Sequence, residues 1–368
     1  MQGTVPAPSA ATHRSGVDER VPVVRALRVG GPEHQVTQAE VKAVATERFP
    51  EVVRSEGMLA VFDHAEIDTR RLARPLDWYV QPRTFAEKNA VYVSEALALS
   101  ERLATEAMAD AGITAAEVDA VVFVSSTGLS TPSLEASIIQ DLGIDPSTVR
   151  LPLWGLGCAG GGAGLARGGD LIRAGYEHVL LIAVEFCSLT FVLGDEAKSN
   201  FIGTALFADG GSAVVLGCSE GDGDGGLARL KHAHSALIPG TAGLTGWNIT
   251  EDGLNLRLSP EIPAVMMTHL RPIVDDALAT AEISLRELEH VVIHPGGAKV
   301  ITGYEAALDL GAHVLDPARA VLRANGNMSS PTVLFVLAET LKAKPQGLGL
   351  LSATGPGFSV EHVLLDFS

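Results

Sequence analysis

Hydrophobic and polar positions in this chain follow one pattern twice. Residues 107–124 align without gaps to residues 277–294, at an offset of 170. Each copy reads as the end of an amphipathic helix, a short loop and an acidic turn. A buried strand follows, Val121-Val122-Phe123-Val124 in one copy and Val291-Val292-Ile293-His294 in the other. A second echo begins at Gly157-Cys158-Ala159-Gly160, followed by a helix-like run over 163–173. Its counterpart is Gly326-Asn327-Met328-Ser329, followed by a helical pattern over 332–342. Ser329 and Ser330 can cap that helix, and Pro331 suits its first turn. A third echo pairs the glycine turn and strand of residues 208–216 with Gly355-Pro356-Gly357-Phe358-Ser359 and the strand over 360–365. The pattern predicts two homologous α/β halves with a boundary near residue 230. The expected organisation is a mobile segment 1–21, a half 22–230 holding Cys158, and a half 231–368 holding His294 and Asn327. Buried strands alternating with helices predict central sheets covered by helices.

The 368 residues are 46% hydrophobic and 19% charged, enough for two domains or one large duplicated core. A net charge of −17 argues against a general nucleic-acid binder. It also means that an anionic substrate needs a local basic patch, for which Arg70, Arg71, Arg74 and Lys299 are candidates. Cys158, Cys187 and Cys218 are odd in number and lack paired metal spacing, so a reducing cytosol is the expected setting. No uncharged apolar run reaches about 18 residues, and the Pro/Ser/Ala-rich start has no apolar core, so neither a membrane span nor a secretory signal is expected.

Cys158 lies in Leu156-Gly157-Cys158-Ala159-Gly160-Gly161-Gly162 at a helix start. A helix N-terminus stabilises a thiolate, and glycines let a substrate approach the backbone. The plain alternative is a small buried residue beside a packing turn. The repeat changes the balance. Equivalent helix starts facing one axis bring Cys158 and Asn327 together, with His294 on the strand that faces them. His294 can instead be a satisfied core histidine, and Asn327 can also serve as a cap. A Cys-His pair is expected to form a thiolate-imidazolium ion pair able to take an acyl group from a thioester. His and Asn together supply two donors for an enolate left by loss of CO₂.

These motifs resemble the type III polyketide synthases, the chalcone synthase-like enzymes, over residues 22–368. Gly157-Cys158 resembles the nucleophile site. Ile293-His294-Pro295-Gly296-Gly297 and Gly326-Asn327-Met328-Ser329-Ser330 resemble the histidine and asparagine motifs. Ala205-Leu206-Phe207-Ala208-Asp209-Gly210 resembles the gatekeeper segment, with Phe207 as gatekeeper and Gly203 nearby. Gly355-Pro356-Gly357-Phe358 resembles the loop shaping the cyclisation cavity, with Ala353-Thr354 in place of its leading Gly-Phe. The resemblance implies the α/β thiolase fold, a duplicated αβαβα five-layer architecture, and a homodimer without a cofactor that uses CoA thioesters directly. It implies acyl loading on Cys158, decarboxylation of malonyl-CoA at His294 and Asn327, and cyclisation in the same cavity. Ala159, Leu256 and Cys187 stand where plant members carry Phe, Phe and Thr, and Thr131 stands where they carry Met. With Ser126, Thr190 and Ser329 these outline the expected pocket. The small groups imply an alkyl channel, as in bacterial alkylpyrone- and alkylresorcinol-forming members; repacked neighbours are the alternative. Basic CoA contacts of plant members align with non-basic positions around Gly57, Ala60 and His64, leaving Lys299 as the expected CoA contact.

Several rivals share these residue types. An initiating ketoacyl-carrier-protein synthase uses the same three. A biosynthetic thiolase needs a second cysteine near the C-terminus, and none follows Cys218. A papain-type hydrolase lacks the duplication. A non-catalytic acyl-binding homologue remains the reading from a different class.

Overall fold

A computed structural model describes residues 20–55, 57–219 and 226–368. Of the segment expected to be mobile, residues 1–19 lie outside the described residues. Nine strands form the central framework: β1 Pro22–Gly30, β2 Ala120–Val124, β3 Val149–Leu153, β4 His178–Phe186, β5 Asp209–Cys218, β6 Ala228–Leu237, β7 Leu288–Ile293, β8 Leu348–Gly355 and β9 Ser359–Asp366. Seven helices matter for the site: α1 Gln38–Arg48, α2 Phe85–Ala111, α3 Gly160–Arg173, α4 Lys198–Leu206, α5 Ile262–Thr280, α6 Ala298–Leu308 and α7 Thr332–Leu341.

The strand order is β7-β8-β9-β6-β1-β5-β4-β2-β3. In one half β2 runs parallel to β4, while β4–β5 and β5–β1 are antiparallel. In the other, β7 runs parallel to β8, while β8–β9 and β9–β6 are antiparallel. The two halves therefore share one topology. They join through a short antiparallel contact of β1 with β6, Val23 opposite Arg229 and Val24 opposite Ala228. α2 covers β1, β5 and β4 from outside, and α5 packs on β6 and on α6. α3 and α7 touch each other and strands of both halves. Helix, sheet, helix pair, sheet and helix make the five layers of the thiolase fold.

The repeated acidic turns have a physical basis. Thr114 with Glu117, and Ser284 with Glu287, form equivalent capping boxes on one-turn 3₁₀ helices. The Thr114 and Ser284 amides donate to the Glu side chains at 2.8 and 2.7 Å. Each box turns the chain from a helix into a fully or largely buried strand, β2 or β7.

Two local expectations are corrected. α3 starts at Gly160 rather than at residue 163, because its glycines are helical contact points. A Cβ at Gly160 would lie 2.6 Å from Val124 Cγ1, and one at Gly161 would lie 2.2 Å from the Ser330 carbonyl. Ser329 and Ser330 do not cap α7, whose N-cap is Pro331. Their hydroxyls serve Cys158 and Glu185 instead.

Candidate active site

Cys158 sits in the 3₁₀ turn Gly157–Ala159, immediately before α3. Ser126 builds that turn, since its Oγ accepts from the Gly155 and Gly157 amides at 3.1 and 3.3 Å. Gly157 has φ +48°, and a Cβ there would lie 2.8 Å from Pro356 Cδ. Gly355 closes the other side, where a Cβ would lie 2.4 Å from the Leu156 carbonyl and 2.6 Å from the Ala159 nitrogen. The β8–β9 loop thus presses on the cysteine turn, and glycine alone permits that approach.

Asn327 reaches this place from the other half. Its backbone pairs with residues 206–208: its amide donates to Leu206 O at 2.9 Å, and Ala208 N donates to its carbonyl at 2.9 Å. Asn327 Oδ1 accepts from the Ser329 amide at 2.8 Å, which turns Nδ2 toward Gly296 O at 3.1 Å. The Ser329 and Asn327 side chains lie close enough to the Cys158 thiol to favour its charged form. The equivalent helix starts of the repeat therefore do meet.

His294 follows β7 directly and continues its ladder, donating its amide to Ser352 O at 2.9 Å. Its ring is buried, and neither nitrogen has a hydrogen-bond partner among the described residues. Gly296 connects it to Asn327, because a Cβ at 296 would lie 3.6 Å from His294 Nε2 while the Gly296 carbonyl accepts from Asn327. A buried polar ring without partners is costly and is held ready for a group from outside the chain.

Burial works against the expected ion pair. Cys158 keeps some solvent exposure, yet desolvation of its thiol and the charge of Glu185 push it up to about 11, against stabilising bonds from Ser329 and Asn327. Burial pushes His294 down to about 3. No Cys158–His294 hydrogen bond forms among the described residues, and burial disfavours the charged form of each group.

Glu185, which sequence reasoning passed over, anchors the floor of the site. It is fully buried and accepts from the Ser126 amide at 2.9 Å, Thr127 Oγ1 at 2.8 Å and Ser330 Oγ at 2.8 Å. Burial raises it to about 7 despite these bonds. Its signal was available as an acid in the apolar run Leu181-Ile182-Ala183-Val184-Glu185-Phe186.

The expected pocket residues divide. Cys187, Thr190, Gly203, Phe207 and Leu256 line one apolar cavity, of about 80 Å³, that runs toward α1; Arg70 lines it too. Ser329 lies beside Cys158. Ser126 and Ala159 are buried in the cysteine turn, and Thr131 is exposed on a loop; none of these three lines the cavity. Lys299 is exposed in the first turn of α6. The other basic candidates form no patch. Arg70 is buried, Arg71 donates to Pro32 O at 2.9 Å, and Arg74 pairs with Glu95 at 2.5 Å.

Comparison with known proteins follows from this geometry. The profile of the N-terminal domain of chalcone and stilbene synthases matches residues 74–220, and that of their C-terminal domain matches residues 229–367. The chain belongs to the chalcone and stilbene synthase family. It is a type III polyketide synthase, an acyl-transferring condensing enzyme. A 1,3,6,8-tetrahydroxynaphthalene synthase of Streptomyces peucetius subsp. caesius is 35% identical over 365 residues, covering 98% of this chain and 97% of its own. The alpha-pyrone synthesis polyketide synthase-like Pks18 of Mycobacterium tuberculosis is 28% identical over 359 residues, covering 94% of this chain and 91% of its own. The crystal structure of 1,3,6,8-tetrahydroxynaphthalene synthase from Streptomyces coelicolor A3(2), a bacterial type III polyketide synthase, superposes with a TM-score of 0.87 at 28% identity, over 94% of this chain and 99% of that one. No helix among the described residues is long and apolar enough to cross a membrane.

Proposed function

We propose that this synthase loads an acyl-CoA starter on Cys158, extends it with malonyl-CoA and closes the product to an alkylpyrone or alkylresorcinol. The thiol sulfur attacks the starter thioester, the C–S bond to CoA breaks, and neutral His294 takes the thiol proton. In extension the malonyl C–CO₂ bond breaks and its electron pair becomes an enolate. Donors from His294 and Asn327 stabilise the enolate oxygen, each typically worth about 3–4 kcal/mol in a dry site. The enolate carbon then attacks the Cys158 thioester, forming the C–C bond and releasing the thiolate.

The observation that carries the alkyl reading is the apolar cavity bordered by Cys187, Thr190, Phe207 and Leu256. Each CH₂ buried there would contribute about 0.8 kcal/mol, which supports an alkyl over a polar starter. The relative named for alpha-pyrone synthesis supports a pyrone product. A second reading, tetrahydroxynaphthalene from malonyl-CoA alone, is supported by the name of the relative at 35% identity. Lys299 is the proposed contact for CoA phosphates.

Incubation with malonyl-CoA and acyl-CoAs from about C2 to C20, with products read by mass spectrometry, separates these readings. The alkyl reading expects turnover to rise with starter length and the starter to appear in the product. Product from malonyl-CoA alone, unchanged by any starter, overturns it. In the same assay Lys299→Ala is expected to raise KM for malonyl-CoA, and an unchanged KM removes Lys299 from the proposal.

A further inference from the structure

Arg70 is the largest fully buried side chain outside the reacting groups, at 1% exposure. It stands on the short strand Thr69–Leu72. One of its terminal nitrogens donates to Thr204 O at 2.8 Å and Phe207 O at 2.9 Å. The other donates to Ala205 O at 2.8 Å and to the Gln38 side-chain oxygen. Gln38, at the start of α1, adds its own bond to Ala205 O at 3.0 Å. α4 ends at Leu206, so these carbonyls belong to a helix end, where intrahelical partners run out. A planar guanidinium can meet several such carbonyls at once, which an ammonium cannot.

A buried guanidinium without a hydrogen-bonded carboxylate is expensive. Its position shows what it holds. Residues 206–208 are the segment to which the Asn327 backbone is bonded on both sides. Phe207, within that segment, lines the acyl cavity. The peptide before Asn327 is also in contact, because a Cβ at Gly326 would lie 3.1 Å from Leu206 O and 3.6 Å from Arg70 Cβ. The backbone turn that carries Cys158 is held by a different set, Ser126 and the Gly355 loop.

We infer that Arg70 is a positioning residue for decarboxylation: it clamps residues 204–207 and through them sets the Asn327 amide, so that its loss falls harder on decarboxylation than on acyl loading at Cys158. The inference rests on the reading of Asn327 as an enolate-stabilising donor.

Two half-reactions of the full chain test it. Acyl-CoA plus enzyme gives acyl-enzyme and free CoA, read by intact mass. Malonyl-CoA plus a proton gives acetyl-CoA and CO₂, read by chromatography. Arg70→Lys keeps charge and loses the fork. It is expected to lower the decarboxylation kcat about tenfold or more, since misplacement of about 1 Å can cost a hundredfold, while the loading rate falls less. Equal losses in both half-reactions, or no loss in either, overturn the inference. If Arg70→Lys does not fold, Gln38→Met removes one partner of the clamp and is expected to show the same unequal loss at smaller size; equal losses or none again overturn it. Asn327→Ala separates the two claims. Wild-type decarboxylation in Asn327→Ala sinks the reading of Asn327. Its loss there, with decarboxylation intact in Arg70→Lys, sinks the clamp alone.

Discussion

Glu185 sets the proton chemistry of its neighbours more than its distance from the reaction suggests. Donors from Ser125, Ser126, Thr127 and Ser330 hold it in a strand that is otherwise apolar, and burial raises it to about 7. Above that pH it is charged, and its charge opposes formation of the Cys158 thiolate. Below it the charge is gone and that opposition ends. Glu185→Gln keeps the shape and a hydrogen-bonding head while removing the charge at every pH. At pH 8 the variant is expected to alkylate at Cys158 about three- to tenfold faster with iodoacetamide, as the thiolate fraction rises by a factor of ten per pKa unit. Peptide mass mapping of the labelled cysteine gives the rate. An unchanged or slower rate at pH 8 contradicts this account of the thiol. At pH 5, where Glu185 is protonated in the wild type, the difference is expected to vanish.

Among the elements, α3 and α7 carry the tightest requirement. Gly161 faces α7, and a Cβ there would lie 2.2 Å from Ser330 O and 2.8 Å from Val333 Cγ1. Gly161→Ala must separate the two helices that bring Cys158 and Asn327 together, at a cost of about 1–3 kcal/mol or more. Gly303 in α6 has open space at its Cβ position. Gly303→Ala is expected to stabilise by up to about 1 kcal/mol through helix propensity. Urea unfolding midpoints should move in opposite directions, and a parallel shift contradicts the packing argument. These glycines also mark how far the sequence could be read. The two acidic turns, the strands they feed and the turns that carry Cys158 and Asn327 were visible, because they depend on local residue types. The helical state of Gly160–Gly162 was not, because it depends on contacts with Val124 and Ser330, distant in the chain. The same holds for the burial that disfavours charge on Cys158 and His294, and for Arg70, whose carbonyl partners lie more than a hundred residues away.

As a whole molecule the protein uses one topology twice and places its chemistry where the copies meet. The first half contributes the thiol at the start of α3 and the acid beneath it on β4. The second contributes the imidazole after β7 and the amide before α7. Neither half holds all the groups, so the order of residues along the chain conceals a site that pairing of the halves assembles. The global charge of −17 does not favour an anionic CoA ester, so recognition needs a local contact, the role proposed for Lys299. The central claim is that Cys158 accepts the acyl group. It is tested most directly by mixing the wild-type protein with a long-chain acyl-CoA and recording the intact mass, then mapping the adduct by peptide mass spectrometry. The account predicts one acyl group per chain, on Cys158, absent from Cys158→Ala and retained in Asn327→Ala. An adduct on any other residue, or polyketide formation by Cys158→Ala at the wild-type rate, would contradict it.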